Sequence, residues 1–248
     1  MIQVGEKKFS IGAYITILII VFILIIVAFL MYKYSVEGES RPPFIISKII
    51  ITSSAKTSNI IEGETGYTAS ILQNNDIKIA IEKNENYKKE AKIRQITINN
   101  IQITDTDNSN SVEIYRPSTG EELYDYLEQN IVKDELKYVG GTETNIKADN
   151  LQISNQGGIL EFSVIQDNIG EMQYTENEQT AIDGTLLNKI GKTNEEIKFK
   201  LTFDMIIEIE SGIKFKTTIT TELPKGNIVE NGVEIYEQTD FKAVFKRI

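Results

Sequence analysis

The feature that most constrains this chain is an uncharged run of 24 residues between Lys8 and Lys33. Within it, Ile11 to Tyr32 reads IGAYITILIIVFILIIVAFLMY, and these 22 residues contain no Pro. As a helix they would measure ~33 Å, enough to cross a hydrocarbon core of ~30 Å. Tyr14 sits near one end, and Tyr32 and Tyr34 near the other, where amphipathic rings favour the membrane interface. The sequence therefore predicts a short tail at 1-10, a transmembrane helix at 11-32, a linker at 33-43 and a β-rich domain at 44-248. The lipid bilayer is the partner expected for residues 11-32.

A cleavable signal peptide has a shorter apolar region, about 7 to 15 residues, that ends at a small-x-small site. Here the nearest such pattern is Val36-Glu37-Gly38, a poor one, so an uncleaved anchor is expected. Lys7 and Lys8 precede the helix while Lys33, Arg41 and Lys48 follow it, so basic residues alone do not orient it. Long C-terminal domains translocate largely regardless of charge, which favours the N-terminus inside and the domain outside. The arrangement resembles a type IV pilin-like subunit only in outline. That family cuts after a Gly that precedes an apolar run with Glu at its fifth position, whereas Ala13 to Ile17 after Gly12 holds no Glu. Pro42 and Pro43 would also end a long stalk helix.

Lys and Arg total 26 against 36 Asp and Glu. With Lys7, Lys8, Lys33 and Glu6 set aside, residues 34 to 248 carry a net charge of −12. Such a domain as a whole is expected to be repelled by nucleic-acid phosphates and by anionic lipid, so no nucleic-acid partner is expected. The chain holds no Cys, His or Trp, which removes disulfides, thiolate sites and histidine bases from its chemistry.

Beyond Pro43, short segments rich in Ile, Thr, Tyr and Phe alternate apolar with polar residues between Asn, Gly and Asp. That is the pattern of half-buried strands. Strands are predicted at 44–52, 76–81, 93–104, 112–116, 150–154, 159–166, 171–175, 197–210, 213–223 and 241–246. About ten strands imply two packed sheets or a barrel, and the expected class is mainly β: an antiparallel β-sandwich-like domain with one or two short helices.

The clearest pair puts Phe199, Leu201, Phe203, Met205, Ile207 and Ile209 on one face, opposite Lys198, Lys200, Thr202, Asp204 and Glu208. After Ser211-Gly212 the alternation resumes with Ile213, Phe215, Thr217, Ile219 and Leu223, giving a long antiparallel hairpin with one wet face. Asn99-Asn100 shifts the phase from Ile96 and Ile98 to Ile101 and Ile103, through either a turn or a bulge. A helix is predicted after Pro117 from the Ser118 and Glu121 capping box, and a shorter one over Asp183 to Gly191.

Motifs that could carry chemistry fail in context. Ser53-Ser54-Ala55-Lys56 matches the Ser-x-x-Lys pattern of penicillin-binding proteins, but it lacks their Ser-Asp-Asn and Lys-Thr-Gly companions and is expected to be a polar loop. Asp105, Asp107 and Ser109 alternate like calcium ligands, yet the sixth position is Asn110 and the twelfth Arg116, so no EF-hand forms. Gly157-Gly158 reads as a turn, and no phosphate-cradling loop or dinucleotide fingerprint appears. The sequence nominates no catalytic, cofactor-binding or metal-binding residue. It predicts a membrane-anchored, extracytoplasmic, non-catalytic binding or structural module of a bacterial cell envelope, with an envelope protein or cell-wall polymer as partner. Its rivals are a carboxylate-based surface hydrolase and a subunit of a larger membrane assembly.

Overall fold

The computed structural model describes residues 11–106, 112–118, 122–142, 151–175, 185–239 and 241–248. It comprises one long N-terminal helix followed by a sandwich-like domain of two antiparallel-rich sheets.

Helix α1 spans Ile11–Glu37 and buries none of its residues against the domain. It is long and apolar enough to cross a membrane, consistent with single-pass anchoring. It runs five residues past the predicted span because nothing in Lys33-Tyr34-Ser35-Val36-Glu37 breaks a helix. Gly38 then caps it: its φ is +73° and its N–H donates to the Tyr34 carbonyl at 2.8 Å. The rest of the expected linker is packed chain. Glu39 N–H donates to the Phe245 carbonyl, Pro42 and Pro43 are buried, and Phe44 is only 1% exposed.

Eleven strands follow among the described residues. β1 (Phe44–Glu62), β2 (Tyr67–Lys83), β4 (Val112–Tyr115), β7 (Gly158–Tyr174) and β10 (Val233–Gln238) form one sheet in the order β10-β1-β2-β7-β4. β3 (Ile93–Thr104), β5 (Leu136–Gly141), β6 (Leu151–Ser154), β8 (Phe199–Ile209), β9 (Lys214–Leu223) and β11 (Lys246–Arg247) form the other in the order β11-β9-β8-β3-β5-β6. Only the β5 and β6 pair is parallel among the paired strands described.

The predicted β8 and β9 register holds: Phe203 pairs with Ile219, and both face the core. The ring of Phe162 on β7 meets that of Phe203 edge-on at 5.6 Å, joining the sheets at the centre of the core. Asn99-Asn100 is a bulge and not a turn, because the β3 and β8 register shifts between Asn99 and Gln102 with Asn100 at φ +50°.

Several expectations are corrected. β1 and β2 run well beyond 44–52 and 76–81, and 159–166 with 171–175 is one continuous strand. β5 and β10 were not predicted, and of 241–246 only Lys246 pairs, with Lys216. Among the described residues after Pro117 there is no α-helix: Ser118 Oγ donates to the Glu122 carbonyl at 2.6 Å, and a 3-10 turn forms at Glu128–Asn130. Glu121 and Asp183 lie outside the described residues. The second predicted helix is shorter, α2 at Leu186–Lys189, with Thr185 at its N-cap position.

The long strands outreach the second sheet, and short helices cover what remains. Leu186 and Leu187 of α2, Ile197 of α3 (Asn194–Ile197), and Ile228 and Val229 of α4 (Ile228–Asn231) pack on Ala55 and Ile71. After β10 the chain crosses from one sheet to the other, buries Phe245, and ends on β9, where Ile248 N–H donates to the Lys214 carbonyl at 3.0 Å.

Candidate interaction surfaces

The middle of β2 reads Gln73-Asn74-Asn75-Asp76, a polar run inside an otherwise apolar strand. Strand alternation sends Gln73 and Asn75 toward the other sheet, and Asn74 and Asp76 outward. On the inner side, Ser53 Oγ donates to Asn75 Oδ1 at 2.7 Å and accepts from Lys225 N–H at 2.9 Å, while Asn75 Nδ2 donates to the Val164 carbonyl at 3.3 Å. Ser53 is therefore a fully buried brace within a strand and not part of a polar loop. Lys56 lies three residues on, so alternation places it on the opposite face of the sheet from Ser53. Its ammonium instead stands 5.5 Å from the Tyr126 ring centre, and the Ser-x-x-Lys pair is never assembled.

On the outer side, the segment from Leu123 to Ile131 lies across β4, β2 and β7 and closes a tyrosine cluster. Tyr126 packs edge-on against Tyr115 at 5.5 Å and stacks on Tyr124 at 6.1 Å. Ser163 Oγ at 2.7 Å and Tyr126 OH at 3.3 Å both donate to Asn74 Oδ1. Tyr115 OH donates to Glu113 Oε2 at 2.5 Å. Burial pushes the Tyr126 phenol up to about 12, with the Asp76 charge adding to it. The Tyr115 and Tyr124 phenols are raised further, again first by burial. All three are neutral at physiological pH and serve as packing surface, with Tyr115 and Tyr126 also donating hydrogen bonds, and none acts as a base. Among the described residues, Tyr124 OH and Asp76 Oδ1 are buried without a hydrogen-bond partner.

Carboxylates do gather in a groove of about 570 Å³ beside β5 and β6, where Glu128, Asp134 and Glu135 alternate with Arg116, Lys133 and Lys137. Glu135 pairs with Lys137, a cation of the same groove. Among the described residues, no three carboxylates converge as a metal would require. Asp105 is engaged by Lys200 at 2.6 Å, and the contact raises the lysine's pKa. Asp107, Ser109 and Asn110 lie outside the described residues.

Exposed apolar side chains of the domain include two stretches of the first sheet. β10 pairs with β1 along one edge, its other edge carries no strand among those described, and Val233, Ile235 and Tyr236 are 52%, 70% and 38% exposed. The period-2 run Val233-Glu234-Ile235 was the sequence signal for this strand. At the far end of β1, Ile60 and Ile61 are also exposed. Phe44 and the foot of α1 lie at the opposite end, roughly 60 Å away along the strand. No family model, curated protein or solved structure matches the chain.

Proposed function

We propose that the chain is a membrane-anchored, extracytoplasmic, non-catalytic module that binds or braces another component of a bacterial cell envelope. The observation that carries this reading is the union of α1 with a domain that exposes Val233 and Ile235 on β10, whose outer edge carries no strand among those described. An unpaired edge of this kind offers backbone donors and acceptors to an extended segment of a partner, while Val233 and Ile235 offer apolar contact. The buried tyrosine cluster and the braced Ser53 are consistent with a stable scaffold and give no activated nucleophile.

The carboxylate groove beside β5 and β6 favours one second reading, a surface hydrolase using Asp134 and Glu135. One experiment separates them. A photocrosslinking residue at Ile235 of the full chain in intact cells should trap an envelope protein or wall fragment, and the same residue at Lys198 should not. Protease added outside should remove the domain beyond Gly38. Equal trapping from both positions, or protection until the membrane is breached, would sink the binding reading or its orientation respectively. Glycan hydrolysis lost in Glu135→Gln would promote the hydrolase.

A further inference from the structure

A second groove, of about 600 Å³, opens at the foot of α1. Its lining includes Val36 of α1, Lys216 of β9, and Lys242, Val244, Lys246 and Ile248 of the closing strap. Tyr34 OH donates to the Arg247 carbonyl at 2.9 Å, which ties that strap to the helix. The groove combines apolar and cationic groups. Val36, Val244 and Ile248 are 60%, 46% and 62% exposed. Lys216 is held by Asp204 at 2.8 Å, whereas Lys242 and Lys246 form no ion pair among the described residues. Glu37 is engaged by Lys33, and Glu39, whose N–H donates to the Phe245 carbonyl, forms no ion pair with either lysine among the described residues. Two free ammonium groups in one groove stand out on a chain of net charge −10.

Position supplies the occupant. If the hydrocarbon layer ends near Tyr32 and Lys33, Val36 stands only ~6 Å above it. The headgroup layer adds roughly 5 to 8 Å on each side of the hydrocarbon, so the groove opens within it. We propose that the groove binds the headgroup of an anionic phospholipid, with Lys242 and Lys246 on its phosphate and Val36, Val244 and Ile248 against the upper part of the lipid. Basic side chains beside an anchor are attracted to anionic lipid even when the rest of the domain is acidic, because the field of the leaflet is screened within about a Debye length, ~10 Å. The proposal rests on the anchoring reading of α1.

The chain has no Trp, so Val36→Trp places a unique fluorophore in the groove. The full chain is placed in phosphatidylcholine nanodiscs that carry the same spin-labelled acyl chain on either phosphatidylglycerol or phosphatidylcholine. Quenching by the phosphatidylglycerol form should be about threefold the stronger. Lys242→Gln with Lys246→Gln should equalise the two, while Lys192→Gln with Lys198→Gln should leave the preference intact. Excess glycerol phosphate in solution should not relieve it. Equal quenching in the parent overturns the inference alone, as does loss of preference in the control pair, which marks a general charge effect. Relief by glycerol phosphate assigns the groove to a soluble phosphate and overturns the lipid. A chain that does not co-elute with the discs overturns the anchoring reading and this inference together.

Discussion

Lys216 Nζ lies 2.8 Å from Asp204 Oδ2, although the alternation of β8 assigns Asp204 to the wet face. The same carboxylate accepts from Thr218 Oγ1 at 2.6 Å and from Asn100 Nδ2 at 3.0 Å, and the residue is only 3% exposed. The Asn100 contact depends on the β3 bulge, which turns that side chain toward β8. Burial alone would raise the Asp204 pKa, but the hydrogen bonds from Lys216, Thr218 and Asn100, together with the Lys216 charge, hold it below the usual carboxylate range.

Asp204→Ala should therefore destabilise the domain by about 2 kcal/mol near neutral pH, because the charged hydrogen bonds of a buried carboxylate with Lys216, Thr218 and Asn100 are lost. The pH dependence has a definite sign. A depressed folded pKa gives stability that is present above the unfolded value of ~3.9 and is lost as pH falls through the folded value. Denaturant melts of parent and variant should therefore draw together as pH falls below the unfolded value. A gap that stays constant from neutral to acid pH would mean that the carboxylate charge contributes nothing.

Phe203 tests the inter-sheet core. Its ring is 1% exposed and meets Phe162 at 5.6 Å, so Phe203→Ala should cost about 3 to 5 kcal/mol. Thr202, on the outer face and hydrogen-bonded to Thr220 at 3.1 Å, should cost less than about 1 kcal/mol as Ala. Similar losses in thermal midpoint would contradict the register that pairs Phe203 with Ile219.

The β8 and β9 hairpin was legible because each inward position carries a large apolar side chain or Thr, so polarity and burial have the same period. In β1 and β2 they part company. Ser53, Gln73 and Asn75 keep the inward phase of the strands and are fully buried, but their polarity ends the apolar pattern, and the sequence reading stopped the strands there. Asn75 and Ser53 satisfy each other across the sheet, a long-range fact that no local window contains. The helix expected after Pro117 failed for a similar reason. Leu123, Tyr126 and Leu127 are apolar at helical spacing, yet Leu123 and Tyr126 pack with Tyr124 as an extended cover on Ile165 and Leu72, with Tyr126 at φ +50° and Leu127 exposed. Neither groove was visible in sequence, since each is assembled from segments far apart in the chain.

Ser53→Ala separates a brace from a nucleophile. The substitution leaves Asn75 Oδ1 and the Lys225 N–H without their buried partner, so it should lower stability by about 1 to 3 kcal/mol. Lys56→Ala removes an exposed contact with Tyr126 and should change stability by less than about 1 kcal/mol. A Ser-Lys enzyme would show the reverse dependence, with both variants equally inactive and stability little changed. Urea melts of the two variants, read beside labelling with a serine-directed acylating probe, decide between these patterns; probe incorporation at Ser53 that is lost in Lys56→Ala would overturn the brace.

The union of helix and domain rests on Gly38 and Tyr34. A Cβ at Gly38 would meet Val244 Cγ1 at 2.5 Å and the Phe245 carbonyl oxygen at 2.6 Å, and the φ of +73° disfavours any L side chain. Gly38→Ala should therefore push the strap away from the helix, at a cost of about 1 to 3 kcal/mol. Tyr34→Phe removes only the exposed hydrogen bond to Arg247 and should cost no more than about 1 kcal/mol. Because the Phe162 and Phe203 core lies elsewhere, the effect should be local: hydrogen exchange at the Ile248 amide, which donates to Lys214, should accelerate about tenfold or more in Gly38→Ala and less in Tyr34→Phe. Amides of β8 should keep the parent rate. If Ile248 exchanges at the parent rate in Gly38→Ala, the strap is held by β9 alone and the helix is free to swing. If β8 amides accelerate to the same degree, the strap belongs to the cooperative core instead of forming a separate clasp.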